Sequence, residues 1–246
     1  MVLTVDRAHL GTTESEWRGS GRLTAPPLLL GRPRRAVVVA PHPDDEVLGA
    51  GGLVQRLLSA GVPTRVVAVT DGEASDPQRP HGLGPLRSGE SLTALGRLGW
   101  FRPRITRLGL PDGAVTEHVD RLTQVLTRRA GPADLWVAPW SADGHPDHDA
   151  CGRVVARVAR DTGGRCLGYL VWAWHWADPA SDDLPWSRCR RLDLGRRELA
   201  RKRWAIAAYR SQIEAHEGED PVLLPAVLQR FRRPFELFVD AGATLP

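Results

Sequence analysis

The sequence predicts an α/β protein: a Rossmann-like, mostly parallel sheet flanked by helices, with a C-terminal elaboration. Three observations carry this. Apolar runs of strand length recur along the chain, among them residues 36–40, 134–138 and 166–174. They are continuous rather than alternating, as in strands buried on both faces. Helix-period segments separate them, so successive strands join by crossovers. Two runs also end in turns crowded with His and Asp, at the strand ends where open α/β sheets carry their sites.

The elements follow in order. Residues 1–33 mix polar residues, Gly and Pro, and read as a surface extension with a short helix near 14–18. The domain then spans 34–246. The first strand starts at Ala36, and a helix is expected over 45–60, with Gly61 at its C-cap. PTRVVAVT, from Pro63, is the second strand, and 71–85 a Gly-, Pro- and acid-rich loop that could wall a crevice. A helix over 86–98 carries Arg87 and Glu90, spaced for an i,i+3 ion pair or for a role beneath the site. ITRLGL, from Ile105, is the third strand, LPDG at 110–113 its turn, and 117–129 a helix. The strand at 134–138 and a helix over 149–159 follow. CLGYLVWAW, 166–174, reads as a fifth strand. Beyond it come a Trp- and Pro-rich loop, a short strand at 189–194, a helix over 196–210, a short helix at 222–229 and a last strand at 234–239.

Composition excludes several classes. The 246 residues are 42% hydrophobic, enough for one sizeable core, and no long linker divides them. No run of about 18 apolar residues exists, and the N-terminus lacks the apolar stretch of a signal peptide, so a cytoplasmic protein with no membrane partner is expected. Three cysteines, without a CxxC pair, make neither a disulfide framework nor a thiolate site. The net charge of +4 comes from arginines scattered among acids, which gives no nucleic-acid footprint.

The chemistry lies in the two turns. PHPDDE puts His42, Asp44, Asp45 and Glu46 at the end of the first strand. His42 and Asp45, three apart across a strand-to-helix turn, can converge on one metal ion, leaving Asp44 free to act on whatever the ion binds. SADGHPDHDACG, after the 134–140 run, brings His145, Asp147, His148 and Asp149 close together and must supply a third ligand. Either turn alone can also be read as a helix N-cap with incidental histidines. Two of them, each ending an apolar strand, point to one site.

His42-Pro43-Asp44-Asp45-Glu46 and His145-Pro146-Asp147-His148 resemble the paired motifs of the LmbE-like, or PIG-L, family of zinc-dependent N-deacetylases. The resemblance runs from about Ala36 onward. It implies a zinc site of His42, Asp45 and His148, a His₂-carboxylate set with an open position, although such a set also accepts Fe²⁺. It implies Asp44 as general base. His145 is the candidate cationic donor to the oxyanion and to the leaving amine, with Asp147 hydrogen-bonded to it and favouring imidazolium. Asp149 and Glu46 read as helix-terminus acids. The family's substrates are N-acetylglucosaminyl groups on inositol, malate, lipid or natural-product scaffolds, so the expected partner is a small N-acylated amino sugar or glycoside.

Further substrate contacts are expected at Arg87, Trp174 and His175. Trp172, Trp174 and Trp176 alternate with period two, which on a strand forms one aromatic face for a sugar ring or for the core. Residues 202–212 resemble the family's C-terminal helix, with Tyr209 where a histidine is often found. The alternative function is a metallo-phosphoesterase, in which Asp44, Asp45, Asp147 and Asp149, joined by Asp71 and Asp112, hold two metals.

Overall fold

The computed structural model describes residues 11–76, 82–216 and 218–242. The first ten residues of the extension and part of the loop 71–85 lie outside these. A short helix α1 (Glu14–Gly19) precedes strand β1 (Arg35–Ala40). After β1 come α2 (Asp45–Leu48), α3 (Gly51–Ser59), β2 (Thr64–Ala68), α4 (Leu83–Arg97) and β3 (Ile105–Arg107). The second half holds α5 (Val119–Thr127), β4 (Asp134–Pro139), α6 (Pro146–Asp161), β5 (Arg165–Tyr169) and α7 (Ala173–Trp176). The chain ends with β6 (Cys189–Asp193), α8 (Arg196–Ile206), α9 (Arg210–Ile213), α10 (Pro225–Leu228) and β7 (Phe235–Asp240). No helix among the described residues is long and apolar enough to cross a membrane.

The strands form one sheet in the order β3-β2-β1-β4-β5-β7-β6. The first five are parallel, and β7 and β6 close one edge antiparallel. Alternate residues of β1 serve two cores. Ala36, Val38 and Ala40 pack with α3, α4 and α8, whereas Val37 and Val39 pack with α5 and α6. The chain leaves β1 toward β2 on one side, and β4 lies on the other. The crevice at that switch point is where the two His/Asp turns meet.

Several boundaries differ from expectation for identifiable reasons. The helix over 45–60 is two helices broken at Gly49–Ala50. Glu236 from β7 accepts the α3 N-terminal amides of Gly52 (2.6 Å) and Leu53 (2.9 Å), and Lys202 donates to Leu48 O at the end of α2 (2.9 Å). Each buried charge satisfies helix-end groups that a continuous helix would have paired internally. A side chain at Gly49 would collide with the Tyr169 ring. α6 begins at Pro146, so Asp147 and His148 lie on its first turn rather than before it. The fifth strand stops at Tyr169, and the tryptophans that follow lie on the turn of α7, not on one strand face.

The described part of the extension, residues 11–33, is anchored to the domain by a few buried side chains. Trp17 is fully buried, meets Trp174 edge-on at 5.0 Å and donates its indole N–H to Trp174 O. Glu14 pairs with buried Arg233 at 2.7 Å, and residue 27 bridges to residue 191 beside β6.

Candidate metal centre

Three donor atoms form a near-equilateral triangle at the C-terminal ends of β1 and β4. Asp45 Oδ2 lies 3.2 Å from His42 Nδ1 and 3.2 Å from His148 Nε2, and the two nitrogens are 3.2 Å apart. Ligands about 2.0–2.1 Å from a tetrahedral zinc sit about 3.3 Å from one another, so this set fits zinc as found. His42, His145 and His148 also lie close enough to share an ion. Asp45 is the better third ligand, because its oxygen is equidistant from both nitrogens whereas His145 Nδ1 accepts the Asp147 amide (3.2 Å).

Each ligand histidine is held in the tautomer a metal needs. His148 Nδ1 faces Asp143 Oδ2 at 2.8 Å, which keeps the proton there and leaves Nε2 its lone pair. His42 Nε2 faces Asp147 Oδ2 (3.3 Å) and Asp112 Oδ1 (3.2 Å), which leaves Nδ1 for the ion. Asp143 went unnoticed in the sequence, although it lies in the second turn, five residues before His148. Its carboxylate also accepts the amides of Val171 (2.9 Å), Trp172 (2.9 Å) and Ala173 (3.1 Å). Only the folded chain brings those three amides to it.

Asp147 is placed differently from the expectation. Its carboxylate accepts the amides of Gly113 (2.8 Å) and Val115 (3.0 Å) and orients His42; it does not bond the His145 ring. From the first turn of α6 the side chain points at the 112–115 turn, and only its backbone N–H reaches His145. His145 itself caps α6, and its ring lies 4.9 Å from His42 and 5.0 Å from His148. Asp149 accepts the Gly144 amide (3.1 Å) and steadies the turn.

Asp44 sits beside the triangle in a backbone conformation that side chains rarely adopt, φ 149°, which costs about 1–3 kcal/mol. Its surroundings hold it there. Glu46 Oε2 accepts the Asp44 amide (3.1 Å), and Arg87 donates to Pro43 O (3.1 Å), Gly72 O (2.9 Å) and Asp44 Oδ2 (3.1 Å). Glu46 is in turn bonded by Ser91 and by the Tyr209 hydroxyl (3.1 Å). Arg87 is therefore buried beneath the site rather than offered to a substrate. Its expected partner Glu90 instead accepts from Ser211 N (2.8 Å) and Oγ (2.6 Å).

Trp174, also expected as a substrate contact, is buried in the core. It is 5% exposed, packed between Trp17 and the Arg233 guanidinium. His175 turns to the N-terminal segment, its carbonyl accepting the Thr12 amide (2.9 Å) and its ring near Arg230 (3.4 Å). The carboxylates named for a second metal scatter: Asp71 bonds Arg107 (3.0 Å) and Ser88 (3.2 Å), Asp44 bonds Arg87, and Asp149 bonds Gly144. Only Asp112 and Asp147 gather, around the nitrogen of His42 that faces away from the triangle.

The profile of the family described as PIG-L, GlcNAc-PI de-N-acetylase, matches residues 37–159, half of the chain. The chain belongs to the PIG-L family. Among curated relatives, a 1D-myo-inositol 2-acetamido-2-deoxy-alpha-D-glucopyranoside deacetylase of Saccharomonospora viridis is 31% identical over 162 residues, covering 53% of this chain and 60% of the relative. A probable N-acetyl-alpha-D-glucosaminyl L-malate deacetylase 2 of Bacillus cereus is 30% identical over 139 residues, covering 51% of this chain and 60% of the relative. The matches thus span under two thirds of these relatives. Among solved structures, N,N'-diacetylchitobiose deacetylase from Pyrococcus horikoshii superposes with a TM-score of 0.58 at 22% identity, covering 73% of this chain and 71% of that one. It shares the fold.

All three candidate ligands of this PIG-L protein, with Asp44, Arg87, Asp143, His145 and Asp147, lie inside the matched span; Trp17, the α7 tryptophans, Tyr209 and Glu236 lie outside it. The electrostatics of the site are those of a centre built around a cation. Burial works most strongly against the His148 imidazolium, yet Asp45 and Asp143 lift its pKa to about 9, and carboxylates raise His42 likewise. Burial also opposes charge on Asp45, but both histidines hold its pKa far below the usual range. Asp44 is pushed up to about 7, chiefly by burial, with Arg87 opposing. His145 drops to about 3, by burial first and then by the neighbouring histidines, a direction that works against the expected imidazolium, and its Nδ1 accepts the Asp147 amide.

Proposed function

We propose that the protein is a zinc-dependent N-deacetylase that hydrolyses the acetamide of a small amino sugar. One observation carries this reading: the His42–Asp45–His148 triangle, of zinc dimensions, with an ionisable carboxylate, Asp44, held at its side in a PIG-L fold. Ferrous iron suits the same donors. The relatives' printed substrates, glucosaminyl groups on inositol or malate, support an amino-sugar substrate class.

When bound, zinc supplies a Lewis acid that acidifies water and polarises the amide carbonyl. The chain does the rest. Asp44 accepts the water's proton at its carboxylate. Arg87 fixes that carboxylate through Oδ2 and leaves Oδ1 for the transfer. His145, with Nδ1 occupied by the Asp147 amide, presents Nε2–H as a neutral donor to the developing oxyanion. The proton on Asp44 then goes to the departing amine as the C–N bond breaks. Asp143 and Asp147 keep the ligand rings in place throughout. The test is release of free amine from a panel of N-acetylglucosaminides, with zinc and after chelation. Chelator-sensitive release is expected. A metal-loaded protein that cleaves a phosphate ester and no amide would overturn the reading.

A further inference from the structure

A segment outside the family match reaches the centre at His145. Trp172 is half-buried, and its ring lies 5.5 Å from that of His145 at an interplanar angle of 31°. Its position is fixed from two directions. The Trp172 amide and both neighbouring amides bind Asp143, the same carboxylate that holds His148, so the indole and the metal ligand share one anchor. The Trp176 indole adds a bond to Asp143 O at 2.7 Å. On the other side the N-terminal segment clamps α7. Thr12 donates from N to His175 O (2.9 Å) and from Oγ1 to Ala177 O (2.7 Å), and Trp17 donates to Trp174 O (2.9 Å). A partly exposed indole held this rigidly, beside the residue that meets the reacting amide, is a preorganised apolar surface.

We propose that Trp172 is the platform for the pyranose ring of the substrate, receiving its C–H face and selecting cyclic amino sugars over acyclic N-acyl amines. The proposal rests on the deacetylase reading and deepens it. The acetamide whose carbonyl oxygen meets His145 is bonded through its nitrogen directly to a ring carbon of an amino sugar, so the ring lies within a few bonds of His145 and of the indole beside it. A flat indole matches the C–H face of a pyranose, whose hydroxyls project at its edge. Burying about 50 Å² of that face corresponds to about a tenfold gain in affinity.

The experiment compares wild type, Trp172→Phe and Trp172→Ala, each loaded with zinc and checked for metal content. KM and kcat for amine release are measured with methyl N-acetylglucosaminide and with acyclic N-acetylserinol. Binding of methyl glucosaminide, which carries no amide, is measured by ligand-observed NMR. Trp172→Ala is expected to raise the pyranoside-to-acyclic KM ratio about tenfold and to weaken methyl glucosaminide binding as much. Trp172→Phe should do so about threefold, and it carries the test if the alanine variant does not fold. An unchanged ratio, an equal loss for both substrates, or a new tolerance of longer acyl chains with sugar binding intact would overturn the platform. Wild type that binds the sugar and releases no amine would sink the deacetylase reading alone, the platform still being judged by the binding ratio. Amine release from the acyclic substrate with no pyranoside binding would sink the platform alone.

Discussion

Replacing Asp143 with Asn tests the anchor that joins the metal site to α7. Oδ1 accepts from Val171 N and Ala173 N, and Oδ2 from Trp172 N and His148 Nδ1. An amide of the same shape must turn its NH₂ toward one of these pairs. Two donors then face a donor in a fully buried place, at about 1–3 kcal/mol each, or about 2–6 kcal/mol together. For a chain of this size that is a fall in Tm of at least about 4 °C. His148 also loses its carboxylate, which weakens metal binding by about 10–100-fold. Thermal melting of the metal-free protein reads the first effect, and zinc titration against a competing chelator reads the second. Wild-type affinity together with an unchanged Tm would refute the argument that one carboxylate holds both elements.

Three further predictions follow from the same geometry. Asp44→Asn keeps the shape at the Arg87 contact and removes the base, so zinc stoichiometry should hold while kcat falls at least about 100-fold; wild-type amine release would remove Asp44 from the mechanism. The His148 pKa of about 9 in the ion-free fold lies above its ordinary 6.5. Its contribution to the metal-free fold is therefore complete below about 6.5 and is lost as pH rises through about 9. The Tm of chelated protein should fall across that window, and zinc, which binds the neutral ring and displaces the proton, should suppress the fall; a chelated Tm independent of pH would contradict the assignment. Trp17→Ala empties a fully buried site and should cost about 3–5 kcal/mol in denaturant unfolding, whereas a surface extension would tolerate the change.

The sequence by itself determined the sheet, the two site-bearing turns and the three candidate ligands. These are local properties. A continuous apolar run of five or six residues bounded by turn residues suits a strand buried on both faces, and His42 with Asp45 is brought together by a single turn. That β1 pairs with β4, which brings the two turns to one crevice, is seen only in the folded sheet. Only the tertiary structure decided what surrounds the ligands. Asp147 turns to His42 and not to His145 because the amides of Gly113 and Val115, more than thirty residues away, capture it. The alternating tryptophans satisfy a strand pattern equally well, but Asp143 gathers three successive amides and coils the chain into α7. That sends Trp174 to the core and leaves Trp172 at the site. Residues 11–33 resemble a surface extension in composition; Trp17 is buried because Trp174 and Arg233 meet it from the far end of the chain. Such choices depend on which distant donor or ring arrives, and no local period in the sequence records that.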